Sequence, residues 1–259
     1  MATVYRKPSI AGGGTPFMHR KSADAREVAR WKRAEWPQTS FLAELKAPVL
    51  DDFLSAGELV RFGKGDALLR EGHAAADVLF LLDASVKVTA QLGTGGQALL
   101  AIRVGGDVVG EVAAMDGGNR TATVSNFGHD AAIAVRLARS ELRDLLGRYP
   151  DAAIALAQAV SRKLRVATQR RIDITNCTVR VRMARAVLEL AEDYGRRTDR
   201  GTFVGVNLTQ MELGSLVGVG ETTAQRALRD LRNDGLIAKA GRRLLVPDVA
   251  ALRTAAEVA

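Results

Sequence analysis

Near Arg139 the spacing of the apolar residues changes, and that change divides the chain. Before it, short apolar runs alternate with Gly and Asp: "ELVRFGKGDALLREG", "DVLFLLDASVKVTAQLGTGGQALLAIRVGGDVVGEV", "RTATVSN" and "DAAIAVRL". Short runs with turn signals roughly every 8–12 residues predict an antiparallel sandwich or barrel. The turns fall at "GKGD", "GTGG" and "VGGD". Ahead of them, "FLAELKAPVLDDFLSAG" predicts one or two short amphipathic helices. From Arg139 the period is helical. "RSELRDLLGRYP" predicts a helix with Ser140 as its N-cap, ending before Pro150. The chain restarts at Asp151, where Leu156, Val160, Leu164 and Ala167 recur at four and three residues and Ile174 returns later. That is a coiled-coil seam. A helix this long needs cover for its stripe. A second copy of the chain, giving a two-fold dimer, is one solution. The chain's own sandwich is another, and different faces can serve both.

Composition narrows the classes. With 259 residues, 47% of them hydrophobic, the chain can bury a sizeable core in two domains or one large one. The single cysteine, Cys177, excludes an internal disulfide and a cysteine-ligated iron–sulfur cluster or zinc ribbon. His19, His73 and His129 are isolated, so neither haem nor a metal is expected. No apolar run has signal-peptide or membrane-span length, which predicts a cytoplasmic protein without a membrane partner. The net charge of +8 is uneven. Residues 1–40 carry 8 Lys or Arg against 3 Asp or Glu, and residues 41–150 carry 11 against 14. Residues 151–179 carry 5 against 2, and residues 180–259 carry 13 against 10. A basic C-terminal region beside an acidic middle suggests a polyanion partner for one part only. Solvated surface charge is the plainer reading. The basic arm at the N-terminus lacks an apolar period and is expected to be loosely packed. Trp31 and Trp36 read as packing anchors rather than ligand stackers.

The strongest local signal is "LTQMELGSLVGVGETTAQRALRDLRNDGLI", Leu208 to Ile237. Thr209 and Glu212 form a T-x-x-E capping box that starts a helix. Leu213, Leu216 and Val217 are its apolar face. Gly218-Val219-Gly220 makes a tight turn, and a second helix opens at Glu221, an acidic residue suited to a helix N-terminus. Ala224, Ala227, Leu228 and Leu231 face inward. Thr222, Thr223, Gln225, Arg226 and Arg229 face away or lie at the margins. Two short helices joined by such a turn are a helix-turn-helix, and the second leads with residues suited to the major groove. "AKAGRRLLVPD" then predicts a hairpin with Arg242 and Arg243 at its tip, a wing placed to meet phosphates. An ordinary pair of core helices explains the apolar spacing, but not the order of cap, turn, polar reader and basic hairpin.

One loop remains. "GEVAAMDGGNRTATV" holds a carboxylate, a guanidinium and a hydroxyl in an otherwise apolar stretch. By itself it suits a salt bridge across a turn as well as a pocket for a sugar phosphate.

From about Ser40 to the C-terminus the sequence resembles the cyclic-AMP receptor protein/FNR family of bacterial transcription regulators. "GEVAAMDGGNRTA", the long helix from Asp151 and "LTQMELGSLVGVGETTAQRALRDL" carry the resemblance, in that order. The first resembles the family's phosphate-binding cassette. The implied fold class is α+β. A cyclic-nucleotide-binding jelly-roll β-sandwich comes first, then a long dimerisation helix and a C-terminal winged helix-turn-helix. The implied division is a basic arm (1–39), a sensor domain (40–150), a dimerisation helix (151–179) and a DNA-binding domain (180–259). By matching positions, Glu111 would accept the ribose 2′-hydroxyl, Arg120 would pair with the cyclic phosphate and Thr121 would donate a hydroxyl to it. Gly110 and Ala122 would allow close backbone approach. An Arg fork matches two phosphate oxygens. Thr168 stands where the family's long helix reads the purine, and Ala167 stands beside it, where members responding to cyclic AMP usually have a second polar residue. The reading helix has Gly220-Glu221-Thr222-Thr223 where members often have Ser-Arg-Glu-Thr. Arg226 could read a guanine edge and Glu221 a cytosine amine.

The resemblance therefore implies a homodimeric regulator that is not an enzyme. Its effector would be a cyclic nucleotide, cyclic AMP first. Its partners would be a near-palindromic DNA operator and RNA polymerase. The alternative keeps the DNA binding and gives the sensor another small ligand or none. A cyclic-nucleotide module regulating an enzyme fits poorly, because residues 180–259 are too short for most catalytic domains.

Overall fold

A computed structural model describes residues 31 and 36–257, apart from 75, 94, 129 and 242. The basic arm, except Trp31 and residues 36–39, lies outside the described residues, as do His19, His129 and Arg242. Two short helices open the sensor, α1 (Phe41–Glu44) and α2 (Ala47–Ala56), the latter with Pro48 in its first turn. Then follow β1 (Glu58–Phe62), β2 (Ala67–Leu69), β3 (Asp77–Asp83), β4 (Ser85–Gln91), β5 (Gln97–Val104) and β6 (Val108–Val109). Helix α3 (Glu111–Asp116) interrupts the strands before β7 (Thr123–Asn126) and β8 (Ala132–Ala138). They form two four-stranded antiparallel sheets, β1-β8-β3-β6 and β2-β7-β4-β5.

β3 shows why its apolar run is continuous rather than alternating. Successive side chains point to opposite faces, and both faces are covered. Leu79 and Leu81 pack between the sheets with Leu69, Val86, Val109 and Val124. Val78, Phe80 and Leu82 pack outward against the helices, where Phe80 stacks on Phe41 and meets Phe53 edge-on. The tryptophans serve as packing anchors: Trp31 is buried in this cluster, and Trp36 Nε1 donates to the Leu82 carbonyl at 2.9 Å.

Helix α4 (Arg139–Arg148) starts two residues earlier than the Ser140 cap predicts. Its N-cap is Ala138, because the Glu141 carboxylate reaches back to the Ala138 N–H at 2.8 Å. Helix α5 (Pro150–Asn176) is the long helix, and its stripe divides. Ala152, Ala155, Leu156 and Ala159 are buried in the chain's own sensor core, so Leu156 does not belong to a seam for a second copy. Further along, Leu164 is 65% exposed and Ile172 46%.

A break at Cys177 leads into α6 (Val179–Tyr194), capped by Thr178. Buried Asp173 ties the two helices, accepting from Gln169 at 2.7 Å and Arg185 at 2.5 Å. The remaining elements are β9 (Gly195–Thr198), β10 (Gly201–Val204), α7 (Gln210–Leu216), α8 (Glu221–Asn233), β11 (Ala238–Ala240), β12 (Arg243–Val246) and α9 (Val249–Glu257). The strands form one sheet, β11-β12-β10-β9.

Candidate functional site

The cassette loop folds around Gly110, whose φ of +84° is a left-handed conformation that favours glycine. A Cβ there would lie 2.5 Å from Arg120 Nη1 and 2.9 Å from Leu69 Cδ1. The missing side chain is therefore the space the guanidinium occupies. Arg120 is 6% exposed. Its Nη1 donates to the Gly110 carbonyl at 2.9 Å, and its Nη2 donates to the Asp77 carbonyl at 2.5 Å and to the Asp77 carboxylate. Asp77 also pairs with Arg136 Nε at 3.1 Å.

Glu111 opens α3 and is equally buried. Lys163 of α5 donates to its Oε1 at 2.9 Å and to the Val108 carbonyl at 2.6 Å. A buried carboxylate without such a partner would be costly. Gly110, Glu111, Arg120, Thr121 and Ala122 line one cleft, with Arg103 and Lys163 on its walls. Thr168 does not line it; it is exposed on α5, five residues past Lys163.

Sequence reasoning missed Asp77, Lys163 and Arg103. Arg103 left one trace, a charge on a strand whose other inner positions are apolar. Asp77 and Lys163 left none, because their partners lie 43 and 52 residues away.

The helix-turn-helix is built as its spacing predicts. The Glu212 N–H donates to Thr209 Oγ1 at 3.2 Å, and Glu212 Oε2 accepts from the Thr209 N–H at 2.8 Å. The turn closes through Val219 N–H to the Gly214 carbonyl at 2.9 Å, with Gly218 at φ +71°. Leu213, Leu216, Val217, Ala224, Ala227, Leu228 and Leu231 are buried together. Glu221, Thr222, Thr223, Arg226 and Arg229 are exposed along the outer side of α8, and Gln225 is half-buried.

The cations of this region sort by position. On α6, Arg180 pairs with Asp234, Arg182 donates to the Val217 carbonyl and Arg185 pairs with Asp173. On α9, Arg253 pairs with Glu192. Arg226 and Arg229 of the reading helix, and Lys239 and Arg243 of the wing, form no ion pair among the described residues. Structural arginines are committed and outward ones remain free to meet phosphates.

The sensor and this module touch. Leu99 and Ile102 of β5 are buried among the apolar residues of α6, α7 and α8. The Leu99 N–H donates to Ser215 Oγ at 2.6 Å, and the Tyr194 hydroxyl donates to the Ile102 carbonyl at 3.0 Å. Among the described residues no cluster of His, Cys, Asp or Glu could hold a metal, and no helix is long and apolar enough to cross a membrane.

Comparison with known proteins agrees with both halves. A cyclic nucleotide-binding domain model matches residues 59–149, and a Crp-like helix-turn-helix domain model matches residues 181–255. A protein of Mycobacterium tuberculosis described as a CRP-like cAMP-activated global transcriptional regulator is 28% identical over 189 residues, 73% of this chain and 84% of that one. FixK2 from Bradyrhizobium japonicum shares the fold, with a TM-score of 0.68 at 19% identity over 78% of this chain and 98% of its own. TTHB099, a CRP-family transcriptional regulator from Thermus thermophilus, gives a TM-score of 0.62 at 26% identity over 77% of this chain and 97% of its own.

Proposed function

Because the chain belongs to the cyclic-AMP receptor protein/FNR family of transcription regulators, we propose that it is a homodimeric, cytoplasmic regulator whose operator binding is set by a cyclic nucleotide in the sensor cleft. Its relatives are regulators, not enzymes. The observation that carries the ligand reading is the convergence of Glu111, Arg120, Thr121 and Ala122 on one cleft, with Gly110 shaped to admit the guanidinium. Arg120 uses three of its five donors on protein acceptors, leaving two for phosphate oxygens beside the Thr121 hydroxyl. On this reading Glu111 accepts from a ribose hydroxyl. Likeness alone puts cyclic AMP first, since the Mycobacterium tuberculosis relative is described as cAMP-activated.

The exposed Leu164 and Ile172 of α5 support pairing with a second copy. Two α8 helices would then read half-sites about 34 Å apart on a near-palindrome, at promoters served by RNA polymerase. The DNA contacts assigned to this reading are Thr209, Glu221, Thr222, Thr223, Gln225, Arg226, Arg229, Arg242 and Arg243.

One observation favours a sensor that takes another ligand or none. Glu111 and Arg120 are both already engaged, by Lys163 and Asp77. Calorimetric titration with cyclic AMP and cyclic GMP separates the two readings. The first expects binding that Arg120→Ala abolishes; no heat from either nucleotide supports the second.

A further inference from the structure

Arg103 is the one cation on the cleft wall, among the described residues, that forms no ion pair, although Asp193 and Tyr194 of α6 lie within its electrostatic reach. Arg120 is paired with Asp77 and Lys163 with Glu111. The bond Arg103 makes is to the carbonyl of its own neighbour, Ile102, at 2.7 Å. A half-buried guanidinium carries five donors and no acceptor. The donors it does not use on protein face solvent or the cleft, where an acceptor on a ligand can replace water.

Its position says which part of a ligand it would meet. In the sheet β2-β7-β4-β5, the cassette runs directly into β7, and Arg103 lies two strands away on β5. Neighbouring strands are about 4.8 Å apart, so β5 lies roughly 10 Å across the sheet from the phosphate end. Val88 of β4 lines the floor between them. With the phosphate at Arg120 and Thr121 and the ribose at Glu111, the base extends toward Arg103.

We propose that Arg103 reads this base and selects guanine over adenine, which rests on the cyclic-nucleotide reading above. Guanine offers O6 and N7, two adjacent acceptors that a guanidinium fork matches. Adenine offers N7 beside the N6 amine, which sets donor against donor. Among the described residues the cleft also offers no free carboxylate for that amine. Its single lining carboxylate, Glu111, is engaged by Lys163, and the Thr121 hydroxyl sits at the phosphate end.

The test is calorimetric titration of the full-length protein with cyclic AMP and with cyclic GMP, for the natural chain, Arg103→Leu and Arg103→Lys. The natural chain is expected to bind cyclic GMP about tenfold tighter or more. Arg103→Leu should remove that preference, and Arg103→Lys, which keeps the charge without the fork, should keep only part of it. Circular dichroism and thermal melting establish that each variant is folded, and the Lys variant carries the test if the Leu variant is not. Binding of both nucleotides with a ratio that neither substitution changes overturns the proposal and leaves the cyclic-nucleotide reading standing. So does tighter binding of cyclic AMP by the natural chain. Absence of binding by either nucleotide overturns both.

Discussion

Lys87 on the sensor sheet pairs with Glu212, the residue that closes the capping box of the first helix of the helix-turn-helix. Glu212 accepts with both oxygens, Oε2 from the Thr209 N–H and Oε1 from Lys87. Both side chains are mostly buried, at 16% and 24% exposure, and the ammonium also lies 4.6 Å from the centre of the Phe127 ring. Lys87 and Val88 are neighbours on β4 and point to opposite faces. One meets the DNA-binding module and the other lines the ligand cleft. On β5, Ile102 and Arg103 divide in the same way. The hairpin β4–β5 is a wall shared by the two sites.

Lys87→Met should loosen that wall without opening the capping box. The Thr209–Glu212 bonds remain, and Glu212 loses its partner in a partly buried place. Such a loss costs about 1–3 kcal/mol, and each kcal/mol moves the midpoint of a chain this size by about 2–4 °C. Calorimetry is expected to show a lower or divided melting transition, and hydrogen exchange at α7 should quicken. An unchanged melting profile with unchanged exchange would mean the apolar contact at Leu99 and Ile102 suffices alone.

Gly110→Ala should damage the cleft more than the fold. The substitution forces a side chain into a left-handed conformation, costing about 1–3 kcal/mol. Its Cβ would also meet Arg120 Nη1 at 2.5 Å, so the guanidinium must move. The expected outcome is a folded protein, with a lowered midpoint, that has lost nucleotide binding. Nucleotide affinity equal to the natural chain's would show that Arg120 tolerates displacement.

The sequence carried the local features and not the distant ones. The capping box, the Gly218 turn, the buried set Ala224, Ala227, Leu228 and Leu231, and the wing hairpin all follow from spacings of a few residues, and the structure has each of them. The cassette residues were legible because they sit in one loop. What they pair with was not, since Arg120 reaches back to Asp77 and Glu111 forward to Lys163. Leu156 shows the same limit. Its spacing fits a seam, but periodicity does not say whether the sandwich or a second helix covers it, and here the sandwich does. Ser140 misled because a Glu three residues past Ala138 was the stronger capping partner.

Asp193 makes stability depend on pH. It lies near the end of α6, where partial desolvation, then Glu189, Asp107 and Glu192, against the opposing pull of Arg103, push its carboxyl from 3.8 up to about 6. A carboxyl whose folded value exceeds its unfolded value destabilises the fold once ionised. The penalty is absent below about pH 4, grows as pH rises and is complete above about pH 6. Asp193→Asn removes it, so the variant should be more stable than the natural chain at pH 7.5, with a much smaller gain at pH 4.5. The side chain keeps contact with solvent, which keeps the gain small. Denaturant midpoints at the two pH values check this, and a gain of the same size at both would assign the effect to something other than ionisation.

Arg226 and Arg243 should fail in different ways when replaced by alanine. Arg226 is exposed on α8, where a guanidinium can reach a base edge, and Arg243 opens β12 at the wing. A base contact carries discrimination worth about 1–3 kcal/mol. A phosphate contact carries none, but it releases counterions, so each one lost lowers the salt slope of log K by about 0.9. Selection from a random duplex library is therefore expected to relax at one base pair per half-site with Arg226→Ala and to return the natural operator with Arg243→Ala. Anisotropy titrations across salt should show the reverse, a shallower slope for Arg243→Ala on operator and mixed-sequence DNA alike. If Arg226→Ala leaves the selected operator intact and only flattens the slope, Arg226 belongs with the phosphate contacts, and the reading of bases falls to Glu221, Thr222 and Thr223.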